Sequence, residues 1–325
     1  MRSNKYWDYL IGFMRYLVTG GAGFIGSHLI EKLISNHEIV ILDNMSEGDP
    51  AFIAKHESNP NFTFIKGDVN DSSAVISALS GVNVVFHLAA HRDVRAGASN
   101  PRKDIDDGIL ATYNLLESMR SAGVKNIIFS SSQTVYGEVT DEPISEDFGP
   151  MVPISIYGAS KMACESLVMA YSHTFDMQSW IFRFANIVGP GGTHGVIPDF
   201  ILKLKKDNNQ MEILGDGSQT KPYLAVSDCV DAIVFGYENS SEPVNLFNLG
   251  TDGWTSVTQL AEIVVEECGL ENVKFSYTGG KRGWVGDVPR IRLSSEKIKM
   301  LGWKAKYDSD EAVRQAARSL FELLW

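Results

Sequence analysis

Residues 16–30, Y-L-V-T-G-G-A-G-F-I-G-S-H-L-I, admit few folds. Tyr16, Leu17 and Val18 make a short apolar run with a β-branched member, the composition of a buried strand. Three glycines then break the run between Thr19 and Gly23. From Phe24 onward Ile25, Leu29, Ile30, Leu33 and Ile34 recur on one helical face. Strand, glycine turn and helix in that order form the first half of a dinucleotide-binding βαβ unit. Gly20, Gly23 and Gly26 are spaced G-x-x-G-x-x-G, not G-x-G-x-x-G. The physics is shared: small residues let the turn form and let backbone N–H groups approach a pyrophosphate at the positive end of the helix.

The context lifts these glycines above an ordinary βα turn. Val40, Ile41 and Leu42 form a second apolar strand that ends in Asp43. A carboxylate there can accept both ribose hydroxyls of an adenosine. Asn44 and Met45 follow, with no arginine. A 2′-phosphate would meet the Asp43 carboxylate, so the expected cofactor is NAD and not NADP.

Further strands are expected at 62–65, 84–88, 126–130 and 180–184, alternating with helices at 72–79, 100–122 and from about Tyr157 to Phe175, and with a short helix at 50–58. The fold class is α/β: a doubly wound parallel Rossmann sheet with a smaller mixed α/β substrate domain. Residues 14–186 form the nucleotide-binding domain, with a return segment at about 226–250. Residues 187–225 and 251–325 form the second domain, where shorter, mixed elements follow a glycine-rich stretch at 189–195. Asp68 sits at a strand's C-terminal end, which suits the adenine edge of a dinucleotide and suits a plain turn aspartate equally. Ala89 and Ala90 are small enough for the backbone to touch the dinucleotide.

Composition excludes several classes. A net charge of −11 argues against nucleic acid or an anionic membrane as partner. Phosphates must therefore be held by local donors. Cys164, Cys229 and Cys268 are scattered without metal-ligand spacing, so no metal is expected, and three isolated thiols suit a reducing compartment such as the cytoplasm. No apolar run approaches the ~18 residues of a membrane span. Residues 1–13 lack the long apolar core of a signal peptide and receive no function.

The chemistry points to Y-G-A-S-K at 157–161. Tyr157 and Lys161 are one turn apart on a helix face. A neighbouring ammonium favours a phenolate, and that makes tyrosine a usable acid/base near neutrality. The lysine can also hydrogen-bond a nicotinamide ribose. An isolated Y-x-x-x-K means little; after a dinucleotide fold and a serine-rich strand end at 130–132 it reads as a catalytic pair.

Here the chain resembles the extended short-chain dehydrogenase/reductase family, from Met14 almost to the C-terminus. The resemblance rests on T-G-G-A-G-F-I-G (19–26), L-D-N (42–44), G-D-V (67–69), F-H-L-A-A (86–90), S-S-S-Q-T-V-Y-G (130–137), Y-G-A-S-K (157–161), R-F-A-N-I-V-G-P (183–190) and L-G-W (301–303). It implies an isomerase: an NAD-dependent 4-epimerase of nucleotide sugars, interconverting UDP-glucose and UDP-galactose through a 4-keto sugar. The alternatives are another nucleotide-sugar enzyme, such as a uronate 4-epimerase or a reductase, and a non-catalytic NAD-binding protein. By position, the resemblance adds Phe24, Ile25, Asn44, Val69 and Leu88 to the cofactor contacts. It makes Ser132 a partner of the sugar 4-hydroxyl, Tyr157 the base and Lys161 its partner. Asn186 is either a contact of the nucleotide sugar or a strand-end cap. A homodimer paired through the helices at 100–122 and 157–175 is implied too.

Gln133 follows Ser132 where the related dehydratases carry acids, which favours epimerisation. Three positions depart from the family pattern: Gly108 for an asparagine, Lys221 for a substrate-loop arginine, and Trp284 for a late phosphate-binding arginine. Lys221 keeps the charge without the bidentate fork. Arg282, Arg290 and Arg292 are the nearby candidates to replace the missing guanidinium.

Overall fold

The structure is a computed structural model that describes residues 12–325, apart from Arg92, Thr140, Asp141, Val285 and the side chain of Ala96. Most of the N-terminal extension, residues 1–11, therefore lies outside the described residues.

The first half alternates strictly. Strands β1 (Arg15–Thr19), β2 (Glu38–Asp43), β3 (Phe62–Lys66), β4 (Val84–His87), β5 (Asn126–Ser132) and β6 (Gln178–Phe184) are separated by helices α1 (Phe24–Leu33), α2 (Pro50–Ala54), α3 (Ser72–Ala78), α4 (Pro101–Asp104), α5 (Ala111–Ala122) and α6 (Ile156–Phe175). The second half supplies β7 (Asn186–Val188), α7 (Val196–Lys206), β8 (Gln210–Ile213), β9 (Thr220–Lys221), β10 (Tyr223–Ala225), α8 (Val226–Glu238) and β11 (Val244–Leu249). It ends with β12 (Thr255–Ser256), α9 (Val257–Glu267), β13 (Lys274–Tyr277), α10 (Glu296–Met300) and α11 (Ser309–Leu324).

Seven strands form one parallel sheet in the order β11-β6-β5-β4-β1-β2-β3. The chain reverses its direction of growth between β1 and β4, and ligands bind at such a switch point. Strands buried on both faces read as continuous apolar runs, which is why β1 and β2 stood out in the sequence. Alternate residues feed two cores. Tyr16, Val18, Ile39 and Phe86 pack with α1 and α8; Leu17, Val40, Val85 and Phe129 pack with α3, α5 and α6. A third core joins α7, α9 and α11 around Ile201, Leu260 and Val313.

Three differences from the sequence reading have physical causes. Strand β5 runs on to Ser132, because Ser131 and Ser132 continue the ladder opposite Arg183 and Phe184. The helix expected over 50–58 closes at Ala54 and gives way to turns. The helix expected over 100–122 is not uniform: a π-helical segment, Ile105–Leu110, separates α4 from α5. A Cβ on Gly108 would lie 2.1 Å from Ser160 Oγ, so a larger residue would have to displace that hydroxyl for this segment to rest on α6. That same Ser160 hydroxyl donates to the Asp104 carbonyl at 2.8 Å, satisfying an acceptor within the irregular stretch.

Helix α6 is fixed to the sheet from below. Arg183 of β6 and Glu165 of α6 form a buried ion pair at 2.7 Å, and the Ser131 hydroxyl donates to the same carboxylate. Losing one partner would strand a buried charge at a cost of about 3–5 kcal/mol.

Candidate active site

A cleft opens at the carboxyl ends of β1, β2 and β4. It is lined by Gly20, Gly23, Phe24, Ile25, Gly26, Asp43, Asn44, Asp68, Val69, Leu88, Ala89 and Ala90, together with His91 and Asp107. The expected cofactor contacts between residues 20 and 90 therefore line one cleft, whereas Tyr157 lines the neighbouring cavity and Lys161 lines neither. Gly20 has φ +70°, and a Cβ there would lie 2.7 Å from Ala89 N; a Cβ on Gly26 would lie 2.5 Å from Gly20 O. The turn is thus as tight as backbone allows. Gly23 precedes α1 without a side-chain cap, so the helix amides are not covered by a side chain of their own.

Asp43 is buried and already accepts from Ala22 N at 3.0 Å and Met45 N at 2.8 Å. Those bonds fix the carboxylate at the rim of the cleft. Asp68 lines the same cleft. It closes a turn by accepting from Asn70 N at 2.8 Å, and it faces the cleft while Asn44 Nδ2 donates to it at 2.8 Å. Burial opposes its ionisation, but the bonds from Asn70 and Asn44 prevail and hold the carboxyl below its ordinary range. The Asp43 carboxylate suits the hydroxyls of a neutral adenosine ribose, and among the described residues no lysine or arginine lines the cleft to take a 2′-phosphate.

His87, beneath the cleft, links Thr19 Oγ1 at 2.7 Å to Thr112 Oγ1 at 3.1 Å. Burial, helped by the Lys161 charge, lowers its pKa to about 3. A neutral imidazole thus ties the glycine turn to α5.

A second cavity adjoins the first, with Ile25 on both walls. Ser132, Gln133, Tyr157, Asn186, Lys221, Trp284 and Asp287 line it. Ser132 ends β5, and its Oγ accepts from Thr134 N at 3.2 Å and Thr134 Oγ1 at 3.0 Å. Tyr157 sits in the first turn of α6, which Ser155 caps through Gly158 N at 3.1 Å, and it lines the same wall as Ser132. Lys161 Nζ, one turn on, donates to Ser130 O at 2.7 Å.

The electrostatics differ from the sequence expectation in one respect. Burial and the Asp104 charge push the Tyr157 phenol well up, and only the Ser132 hydrogen bond pulls it down. Lys161 does not offset this: its own pKa is drawn down to about 8 by burial, against the pull of Cys164, Glu165 and Asp104. Its Nζ lies 5.8 Å from the tyrosine ring centroid and bonds elsewhere.

The substrate end also differs. Lys221 reaches the cavity wall but forms an ion pair with Asp287, which also accepts from Gly283 N at 3.1 Å. Arg282 pairs with Glu138, and Arg292 stacks 3.7 Å over the Trp254 ring. Neither these two nor Arg290 lines the cavity. Arg95 and His194 do line it. Nothing local in their sequence neighbourhoods marked them, since they arrive on loops whose positions are set by tertiary packing.

The geometry has counterparts in known proteins. A profile of the NAD dependent epimerase/dehydratase family matches residues 16–250. A UDP-glucose 4-epimerase of Mycolicibacterium smegmatis is 33% identical over 311 residues, covering 92% of this chain and 96% of that one. A dTDP-D-glucose 4,6-dehydratase of Mus musculus is 31% identical, covering 93% and 87%. A crystal structure of a UDP-galactose 4-epimerase superposes with a TM-score of 0.84 at 38% identity, covering 96% of this chain and all of that one.

Proposed function

The chain belongs to the NAD dependent epimerase/dehydratase family, and from that premise we propose that it is a nucleotide-sugar 4-epimerase interconverting UDP-glucose and UDP-galactose. The coarser activity, an NAD-dependent nucleotide-sugar epimerase/dehydratase, follows from its relatives. The finer reading rests on one observation. Tyr157 and Ser132 stand on the same cavity wall, and the residue that follows Ser132 is the neutral Gln133. A dehydratase must move a second proton to expel a hydroxyl; an amide cannot do so.

Gly20, Gly23 and Gly26 hold the pyrophosphate of NAD and Asp43 the adenosine ribose, with Asp68 and Val69 beside the adenine. NAD, when bound, supplies a reversible hydride acceptor for C4 of the sugar. Tyr157 takes the 4-hydroxyl proton and later returns it, and Ser132 hydrogen-bonds the same oxygen. Lys161 holds the nicotinamide ribose. Because burial raises the Tyr157 pKa, the phenol stays protonated until a positive charge is brought beside it. Asn186 and Lys221 contact the nucleotide sugar, and the third core carries this half of the site.

The test is incubation of purified protein with UDP-galactose and no added oxidant or reductant, followed by NMR. Formation of UDP-glucose supports the reading. Accumulation of a 4-keto-6-deoxy sugar, or no reaction across UDP-, dTDP- and GDP-hexoses, sinks it.

A further inference from the structure

His91 is buried, at 4% exposure, yet it lines the first cleft, next in the chain to Ala90. Its Nδ1 stands 3.1 Å from Asp104 Oδ1. A carboxylate can only accept, so Nδ1 carries a proton and donates it. Asp104 is buried as well, and among the described residues this is the only hydrogen bond its side chain makes. The other oxygen is enclosed without a partner beside Gly97, where a Cβ would lie 2.4 Å from it. The pair therefore fixes the plane of the imidazole. His91 Nε2 has no partner among the described residues and, unlike that carboxylate oxygen, is not enclosed. It is the polar atom that this ring offers to a ligand in the cleft.

The charge on the cleft wall gives that atom a role. Asp43, Glu47, Asp68 and Asp107 line the cleft, and among the described residues His91 is the one lining side chain able to carry a positive charge. A dinucleotide brings an anionic pyrophosphate into this setting, and the amides at the start of α1 can face only one side of it. On the reading of this cleft as the NAD site, we propose that His91, held by Asp104, donates from Nε2 to the pyrophosphate of NAD, at the phosphate nearer the nicotinamide. The ring does so as the imidazolium, with Nδ1–H on Asp104 and Nε2–H on the phosphate. Asp107, from the π-helical segment, adds a second carboxylate near the ring. The charge of Asp104 reaches both Tyr157 and Lys161, which sets His91 toward the catalytic end of the cleft. His91 is the contact and Asp104 a positioning residue.

The test measures calorimetric Kd values of NAD, ADP and AMP on the full chain freed of bound nucleotide. ADP carries the second phosphate and AMP does not, so the wild type should bind ADP more tightly than AMP. His91→Leu should weaken NAD and ADP by about tenfold or more and leave AMP within about twofold. His91→Gln keeps an uncharged donor near the Nε2 position; it should lose less than Leu on the same two ligands, and it replaces the Leu variant if that fails to fold. Asp104→Asn should reproduce part of the NAD and ADP losses. Equal losses on all three ligands would mean that His91 only supports the wall. Loss on NAD alone would put its contact on the ribose or the nicotinamide. No loss, or a wild type that binds ADP no better than AMP, would mean that no phosphate is touched. Each of these overturns the proposal. Asp43→Ala separates it from the reading beneath it. If that variant weakens NAD, the cleft stands as the cofactor site whatever His91 does; unchanged NAD affinity removes the site and the proposal together.

Discussion

Lys161 Nζ lies 2.7 Å from the main-chain oxygen of Ser130, joining the catalytic helix to the end of β5. That bond is made in a site where the ammonium is 4% exposed and its pKa has fallen to about 8. The lysine is therefore poised to lose its charge just above neutrality.

Two results follow for pH. Lysine is cationic below its pKa, so NAD affinity should decline as pH rises through about 8, and Lys161→Met should bind weakly with no such limb. The folded pKa lies below the unfolded value of 10.5, so the buried ammonium destabilises the fold fully below pH 8, and the penalty fades between 8 and 10.5. At pH 7 Lys161→Met should unfold at the same midpoint or higher. A clear drop in that midpoint would contradict the burial argument.

Asp43 lines the cleft with both oxygens already anchored by main-chain donors, and we propose that it receives the adenosine ribose. A 2′-phosphate would meet a carboxylate that cannot swing away. The wild type should prefer NAD over NADP strongly, and Asp43→Ala should weaken NAD more than NADP. Equal wild-type affinity for the two, measured by calorimetry, refutes this.

Much of this was legible because it is local. The apolar runs of β1 and β2, the glycines between, and Tyr157 with Lys161 at one helical turn need only short-range periodicity to be found. What escaped depends on distant partners. The Tyr157 phenol is raised by burial and by Asp104, from a different helix, and not lowered by the lysine one turn along its own. The ion pair of Lys221 with Asp287 joins residues far apart in the chain and leaves no local pattern. The two- and three-residue strands β7, β9, β10 and β12 are too short to carry a pattern and exist through pairing alone. The π segment is of the same kind, since Gly108 matters only because Ser160 stands opposite.

Gly108→Ala tests that contact. The added methyl would overlap Ser160 Oγ at 2.1 Å, and forcing such a clash costs about 1–3 kcal/mol. Stability should fall by that order and NAD affinity with it, because the displaced segment carries Asp107 on the cleft wall. Ser160→Ala in the same chain should recover part of the loss by clearing the space. Additive losses in the double variant would show that the two residues do not press on one another.

Tyr113, Ile156 and Phe175 are exposed on α5 and α6, on the outer side of the sheet. We propose that two copies pair through these helices. Sedimentation at micromolar concentration should give a dimer, and Tyr113→Lys should shift it toward monomer. A wild-type monomer at that concentration ends the idea.

The sharpest test of the chemistry follows the hydrogen on C4. Tyr157→Phe removes one oxygen and keeps the ring, so the fold and NAD binding should survive while turnover nearly vanishes. In the wild type, deuterium placed at C4 of UDP-galactose should appear at C4 of UDP-glucose, because the hydride goes back to the carbon it left. The hydroxyl proton, which passes through Tyr157, exchanges with water and carries no label. Washout of the C4 deuterium would mean that the bond is broken as a proton and not as a hydride. Net release of reduced cofactor in proportion to product would make the protein an oxidoreductase. Retention of the label without lasting reduced cofactor, together with loss of both products in Tyr157→Phe, is the outcome that Ser132, Tyr157 and a neutral Gln133 require.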